Sequence, residues 1–177
     1  TLHHVRPAPA TGFRPNALLE IEPDFLERVV KLVRAEGYEI VSLDEAVERL
    51  ASHRPSPFFV VLTFDDGYRD NLDHAWPVLA RHQVPWTMFV TPGFADRTAR
   101  LWWLALEEAI RILPRFSIDL PGGGFSARTG TDTEKNLAFA QLYWRLRKGP
   151  EEILLAAISE LGRQAGIHPS ALVEREC

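Results

Sequence analysis

Residues 58–67 read FFVVLTFDDG, and this stretch decides the fold. Phe58 to Phe64 is an almost unbroken apolar run rich in β-branched and aromatic side chains, which predicts a central strand buried on both faces. Asp65, Asp66 and Gly67 end it abruptly. Carboxylates directly after a buried strand sit where parallel α/β folds place their ligands, at strand carboxyl ends. Consecutive strand residues point to opposite faces, so Asp65 and Asp66 can share a site only where the chain turns, which Gly67 permits. One carboxylate can then ligate a cation while the other accepts a proton from cation-bound water. The pair can equally form an Asx turn that only hydrogen-bonds backbone amides.

Outward from this strand, the chain alternates between two periods. Leu2 to Val5 reads as a short first strand, followed by a Pro/Gly-rich loop from Arg6 to Pro15. Pro23 suits a first helical position, Phe25, Leu26, Val29, Val30 and Val33 recur at helical spacing, and Gly37 supplies a stop. Tyr38 to Val41 reads as a strand, and Ser42 with Glu45 as a capping box for a helix carrying Ala46, Val47 and Leu50, before the Pro55/Pro57 break. Downstream, a helix is expected from about Asn71 to Arg81, kinked or started by Pro77, and then a strand from Trp86 to Val90. This alternation predicts an α/β fold of repeated βα units with a mainly parallel sheet over residues 1–92.

Residues 93–177 change character. Leu101 to Leu113 is helical in pattern, and Phe116 to Leu120 with Phe125 to Arg128 around Gly122-Gly123-Gly124 suggests a hairpin. Thr131 and Glu134 cap a helix carrying Leu137, Leu142 and Leu146. Pro150 opens a helix that Gly166 ends, and Pro169 begins a short one. A helical half of this kind reads as a second layer or as an insertion between βα units.

The chain has 177 residues, 46% of them apolar and 25% charged, which fits one domain and excludes a disordered polyampholyte. That length falls short of a complete eight-unit α/β barrel of about 200–250 residues. No apolar run approaches the roughly 18 residues of a membrane span. The net charge is −4 and the only lysines are Lys31, Lys135 and Lys148, so no polyanion-binding stripe is expected and nucleic acid is not an expected partner. The single Cys177 can form neither an internal disulfide nor a Cys-based zinc site; it suits a reducing compartment such as the cytoplasm, with periplasm or cell envelope open. Thr1 stands where a start methionine is expected, which points to a missing native beginning.

Residues 60–90, VVLTFDDGYRDNLDHAWPVLARHQVPWTMFV, resemble the first conserved block of the polysaccharide deacetylases, the NodB-homology or carbohydrate esterase family 4 group, whose first motif is TFDDG. LHHV at 2–5, EGYEIVSLDEAVERL at 36–50 and LWWLALEEAI at 101–110 also resemble the amino-terminal half of bacterial members, so the resemblance covers about residues 1–112. It implies a partial distorted (β/α) barrel with a helical insertion. It also implies metal-dependent hydrolysis of N-acetyl groups on an amino-sugar oligo- or polysaccharide. Asp65 would be the general base and Asp66 a ligand of a divalent metal, zinc in most of the family. His4, in the first strand, reads either as edging the site or as a hydrogen-bonded structural histidine, and Tyr68 either as lining the site or supplying it a backbone amide, or as a packing tyrosine.

The resemblance also exposes a deficit. The family completes its metal site with a His-x-x-x-His pair on a later strand and loop. The six histidines here are His3, His4, His53, His74, His82 and His168, and no two have that spacing. A structural or catalytic zinc normally takes three or more protein ligands. The chain therefore reads as an amino-terminal portion of a deacetylase, inactive alone, with the remainder of the same polypeptide expected. His74 and His82 read as surface or packing residues, His53 and His168 as loop residues, and Trp102-Trp103 as core aromatics or a sugar-stacking pair.

Two other functions fit parts of the pattern. A non-catalytic carbohydrate-binding or scaffold domain would retain the fold without the histidines. A haloacid-dehalogenase-like phosphatase also follows an apolar strand with Phe-Asp, but spaces its two carboxylates two apart so that both face one site; here they are adjacent.

Overall fold

The computed structural model describes residues 1–8, 12–52 and 56–177. It divides into two compact units. The first holds residues 1–8, 19–98 and 176–177; the second holds 99–175 with the described residues 12–18. His53 lies outside the described residues.

In the first unit, strands β1 (His4–Val5), β2 (Glu20–Ile21), β3 (Glu39–Ile40), β4 (Phe59–Val60), β5 (Leu62–Asp66) and β6 (Trp86–Val90) all pair in parallel. β1 pairs with β2, β3 with β4, and β5 with β6 over five residues from Leu62↔Trp86 to Asp66↔Val90. A further parallel bridge joins Leu2 to Phe64, with the Leu2 N–H donating to Thr63 O and the Asp65 N–H to Leu2 O, both at 2.9 Å. The first residues thus lie beside the strand that carries the aspartates. Among the described residues the pairs remain two-stranded sheets and do not close into a barrel.

The expected strand at 58–64 differs from its reading in two ways. It is broken at Val61, and it is not buried on both faces: Phe58 is 81% exposed, while Phe64 is fully buried. Within this unit one face of the sheet is covered. Leu62, Phe64, Trp86 and Met88 pack with Leu26 and Val30 of helix α1 (Pro23–Ala35) and with Val78 and Leu79 of α3 (Trp76–Arg81). Truncating Phe64 there would cost about 3–5 kcal/mol.

The helices end where backbone chemistry dictates. After α1, the Tyr38 N–H donates to Val33 O and the Gly37 N–H to Arg34 O, with Gly37 at φ 79°, the Schellman arrangement. Pro77 marks the start of the α-helical segment, one of its two expected readings. It sits in the first turn of α3, directly after a five-residue π-helical segment, Asn71–Ala75, where the Trp76 N–H reaches Asn71 O. The wider turn accommodates the missing proline N–H. In α2 (Leu43–Ser52) the Ser42 hydroxyl caps the Glu45 N–H at 3.1 Å, but the Glu45 carboxylate is drawn to Arg49. Only half of the expected capping box forms.

The first unit also holds a short helix, α4 (Pro92–Ala95); the second unit is helical around one hairpin. β7 (Arg115–Ile118) and β8 (Phe125–Arg128) are antiparallel. Phe116 and Ile118 join a core built by α5 (Trp102–Ile112), α6 (Asp132–Arg147), α7 (Glu151–Ala165) and α8 (Pro169–Glu176). The Thr131/Glu134 capping box that starts α6 is complete. Trp102 stacks on Tyr143 at 4.9 Å between centroids.

Candidate active site

The end of β5 is a tight turn. The Gly67 N–H donates to Asp65 O at 3.0 Å, closing a three-residue ring centred on Asp66, whose φ is 74°. This is the γ-turn of positive φ, an uncommon and strained conformation for a residue with a Cβ. The Asp66 carbonyl is fixed in turn by the Thr91 N–H at 3.0 Å, just beyond β6. The turn breaks the strand alternation between the two aspartates.

The two carboxylates have different surroundings. Asp65 is half-buried, and its carboxylate has no hydrogen bond or ion pair among the described residues. Asp66 is held: Oδ2 lies 3.1 Å from His3 Nδ1, and Oδ1 3.5 Å from the Thr91 hydroxyl. A free carboxylate suits proton acceptance, and an oriented one suits ligation. The sequence offers His4 as a histidine edging this site or as a hydrogen-bonded structural one. The structure places His3 against Asp66, because the Leu2–Phe64 bridge sets the following residue beside the strand end.

His4 and Tyr68 lie behind the turn. His4 is 2% exposed; its Nδ1–H donates to Asp70 Oδ2 at 2.7 Å, and its ring lies 3.6 Å from that of Tyr68. Tyr68 is 3% exposed and meets Phe94 edge-on at 4.8 Å. Asp70 also accepts from the Val5 N–H and stands 4.0 Å from Arg6 Nε. Burial works to lower the Arg6 pKa, but Glu20, Glu176 and Asp70 outweigh it and hold the guanidinium above its usual value. Asn71, fully buried, donates its amide to His3 O at 2.9 Å and so anchors the backbone of the His3 segment. Asp70 and Asn71 carried no sequence motif of their own; their roles depend on a helix start folding back onto β1.

The other histidines stand apart from the aspartates. His82 bonds Glu27 at 2.8 Å, His74 is half-buried and His168 is exposed. Among the described residues no three His, Cys, Asp or Glu side chains gather to hold a metal ion. A zinc centre takes at least three protein donors, so the residues present do not complete one.

Residues 52–135 match the polysaccharide deacetylase family. YxkH of Bacillus subtilis (strain 168), itself named as a polysaccharide deacetylase, is 34% identical over 73 residues, 41% of this chain and 26% of that protein. The chain therefore spans about a quarter of the length of this curated relative. Among solved structures, IcaB from Ammonifex degensii is similar at 28% identity and a TM-score of 0.42, over 50% of this chain and 36% of that one. The Streptococcus pyogenes deacetylase PplD, in complex with acetate, is similar at 23% identity and a TM-score of 0.44, over 55% of this chain and 43% of that one. Over residues 52–135, just under half of the chain, the sequence matches the polysaccharide deacetylase family, and YxkH, similar over 41% of the chain, carries the same family name.

Proposed function

We propose that this chain supplies the aspartate half of a carbohydrate N-deacetylase centre, which hydrolyses N-acetyl groups on an amino-sugar polymer. The observation that carries this reading is the turn at Asp66, beside which the Asp65 carboxylate has no partner among the described residues while Asp66 is fixed between His3 and Thr91. Asp65 accepts the proton of the attacking water. Asp66 supplies one donor to a divalent ion, zinc by the resemblance. The other donors come from outside residues 1–177, and the chain alone releases no acetate. The distorted barrel belongs to the same proposal, its missing strands coming from the rest of the polypeptide.

The test measures acetate release from N-acetylglucosamine oligomers, with and without added divalent ion. It compares the 177-residue chain with a longer polypeptide that joins it to a segment bearing a His-x-x-x-His motif. The longer form should be active only with metal, and Asp65→Asn should lower its kcat by about 10²–10⁴-fold with little change in Tm. Activity indifferent to Asp65→Asn would overturn the assignment. Binding of the oligomers by a long form that never releases acetate would favour a carbohydrate-binding domain instead.

A further inference from the structure

We infer that the outer face of the β7–β8 hairpin is a binding site for an oxyanion, a phosphate ester or a carboxylate. The register pairs Arg115 with Arg128 and Ser117 with Ser126. The Thr129 N–H donates to Pro114 O at 2.9 Å, which makes 114/129 a hydrogen-bonded pair. By alternation 115/128 and 117/126 are the non-hydrogen-bonded pairs, whose side chains stand closest together on one face. The serine hydroxyls confirm this closeness, at 2.9 Å from each other. Phe116 and Ile118, on the opposite face, are buried in the core of the second unit.

Two guanidinium groups therefore stand directly opposite each other on an exposed face. Like charges in that position destabilise an antiparallel pair. No ion pair offsets them among the described residues. The neighbouring carboxylate of Glu134 is turned elsewhere, its Oε2 accepting from the Gly130 N–H at 2.9 Å and the Thr131 N–H at 3.0 Å. An open depression of about 550 Å³ runs along this face between Arg115, Ser117, Ser126, Arg128 and Gln164. Guanidinium groups present planar forks that match carboxylate and phosphate oxygens in pairs, and two hydroxyls beside them can donate to the remaining oxygens. A bound oxyanion turns the mutual repulsion of the arginines into attraction to a common partner. The net charge of −4 sharpens the point, since these two cations concentrate positive potential on an otherwise acidic chain.

The experiment follows the backbone amide resonances of Ser117 and Ser126 in the 177-residue chain at constant ionic strength. Sodium phosphate and sodium glucuronate are titrated separately, with glucose as the neutral control. Saturable shifts are expected, with a Kd on the order of 1 mM. Phosphate alone saturating assigns the site to phosphate esters, glucuronate alone to carboxylated sugars, and both to oxyanions in general. Arg128→Gln and, independently, Arg115→Gln should each raise the Kd at least tenfold, while Arg128→Lys, which keeps the charge and loses the fork, should fall between. Absence of a saturable shift with either anion, or shifts unchanged in both glutamine variants, overturns the proposal.

Discussion

Nδ1 of His3 stands 3.1 Å from Oδ2 of Asp66, at the end of a strand pairing that joins Leu2 to Phe64. Both side chains are about one-third exposed, at 33% and 30%. A contact so open to water contributes about 0–1 kcal/mol, whereas the neighbouring backbone bridge and the buried Phe64 carry the packing. His3→Ala should therefore shift the urea midpoint only slightly, while Phe64→Ala should remove about 3–5 kcal/mol. Parallel urea melts of the two variants check this. A His3→Ala loss equal to that of Phe64→Ala would show that the imidazole holds the strands together.

The positive φ of Asp66 separates what its carboxylate does from what its backbone requires. Asn tolerates the left-handed region nearly as well as Asp, whereas a β-branched residue does not. Asp66→Asn should cost under about 1 kcal/mol, and Asp66→Val about 1–3 kcal/mol more, since the strain at a φ of 74° is then uncompensated. Equilibrium unfolding of the pair gives the difference. Equal stabilities would mean that the turn relaxes when the side chain changes.

Much of the β–α order was legible because period and punctuation agree. Pro23 and Gly37 bracket α1, the Thr131/Glu134 pair starts α6, and the three glycines at 122–124 separate β7 from β8. The burial of residues 58–64 was not, because an apolar run shows that a strand wants cover, not which faces receive it; Phe58 remains 81% exposed while Phe64 is enclosed. At the site, the Asp-Asp-Gly turn could be read from chemistry, since only a break in alternation lets adjacent carboxylates leave one strand end together. The choice between His3 and His4 could not. It depends on the register of the Leu2–Phe64 bridge, a pairing some sixty residues apart in the chain, and a one-residue slip exchanges which histidine faces Asp66.

Gly67 follows Asp66 with a φ of 92°, and a Cβ built there would meet Val90 Cγ1 at 3.3 Å. Backbone strain and a close neighbour on β6 act together at this position. Gly67→Ala should destabilise the first unit by about 1–2 kcal/mol, most of it from the left-handed backbone. Adding Val90→Ala relieves the steric part alone, so the double variant should recover a minority of the loss beyond the cost of Val90→Ala itself. Thermal melts of the two single variants and the double variant resolve the two contributions; full recovery would show that contact with Val90, and not φ, sets the requirement for glycine.

Glu27 on α1 gathers His82 Nε2 at 2.8 Å, Lys31 Nζ at 2.9 Å and Arg81 at 3.7 Å, tying α1 to the end of α3. The hydrogen bond from His82 and then that from Lys31 hold its carboxyl at about 2, against a usual 4.5. Since the folded-state value lies below the unfolded one, this group stabilises the fold fully above the unfolded value, and the contribution is lost as pH falls towards about 2. Glu27→Gln should accordingly be less stable than the native chain at pH 7, with the gap narrowing below about pH 4.5 and closing near pH 2. Denaturant midpoints of both proteins at a series of pH values measure the gap, and a titration of the Glu27 carboxyl carbon reads its pKa directly. A gap that stays constant from pH 7 to pH 2 would show that the cluster contributes through packing and not through charge.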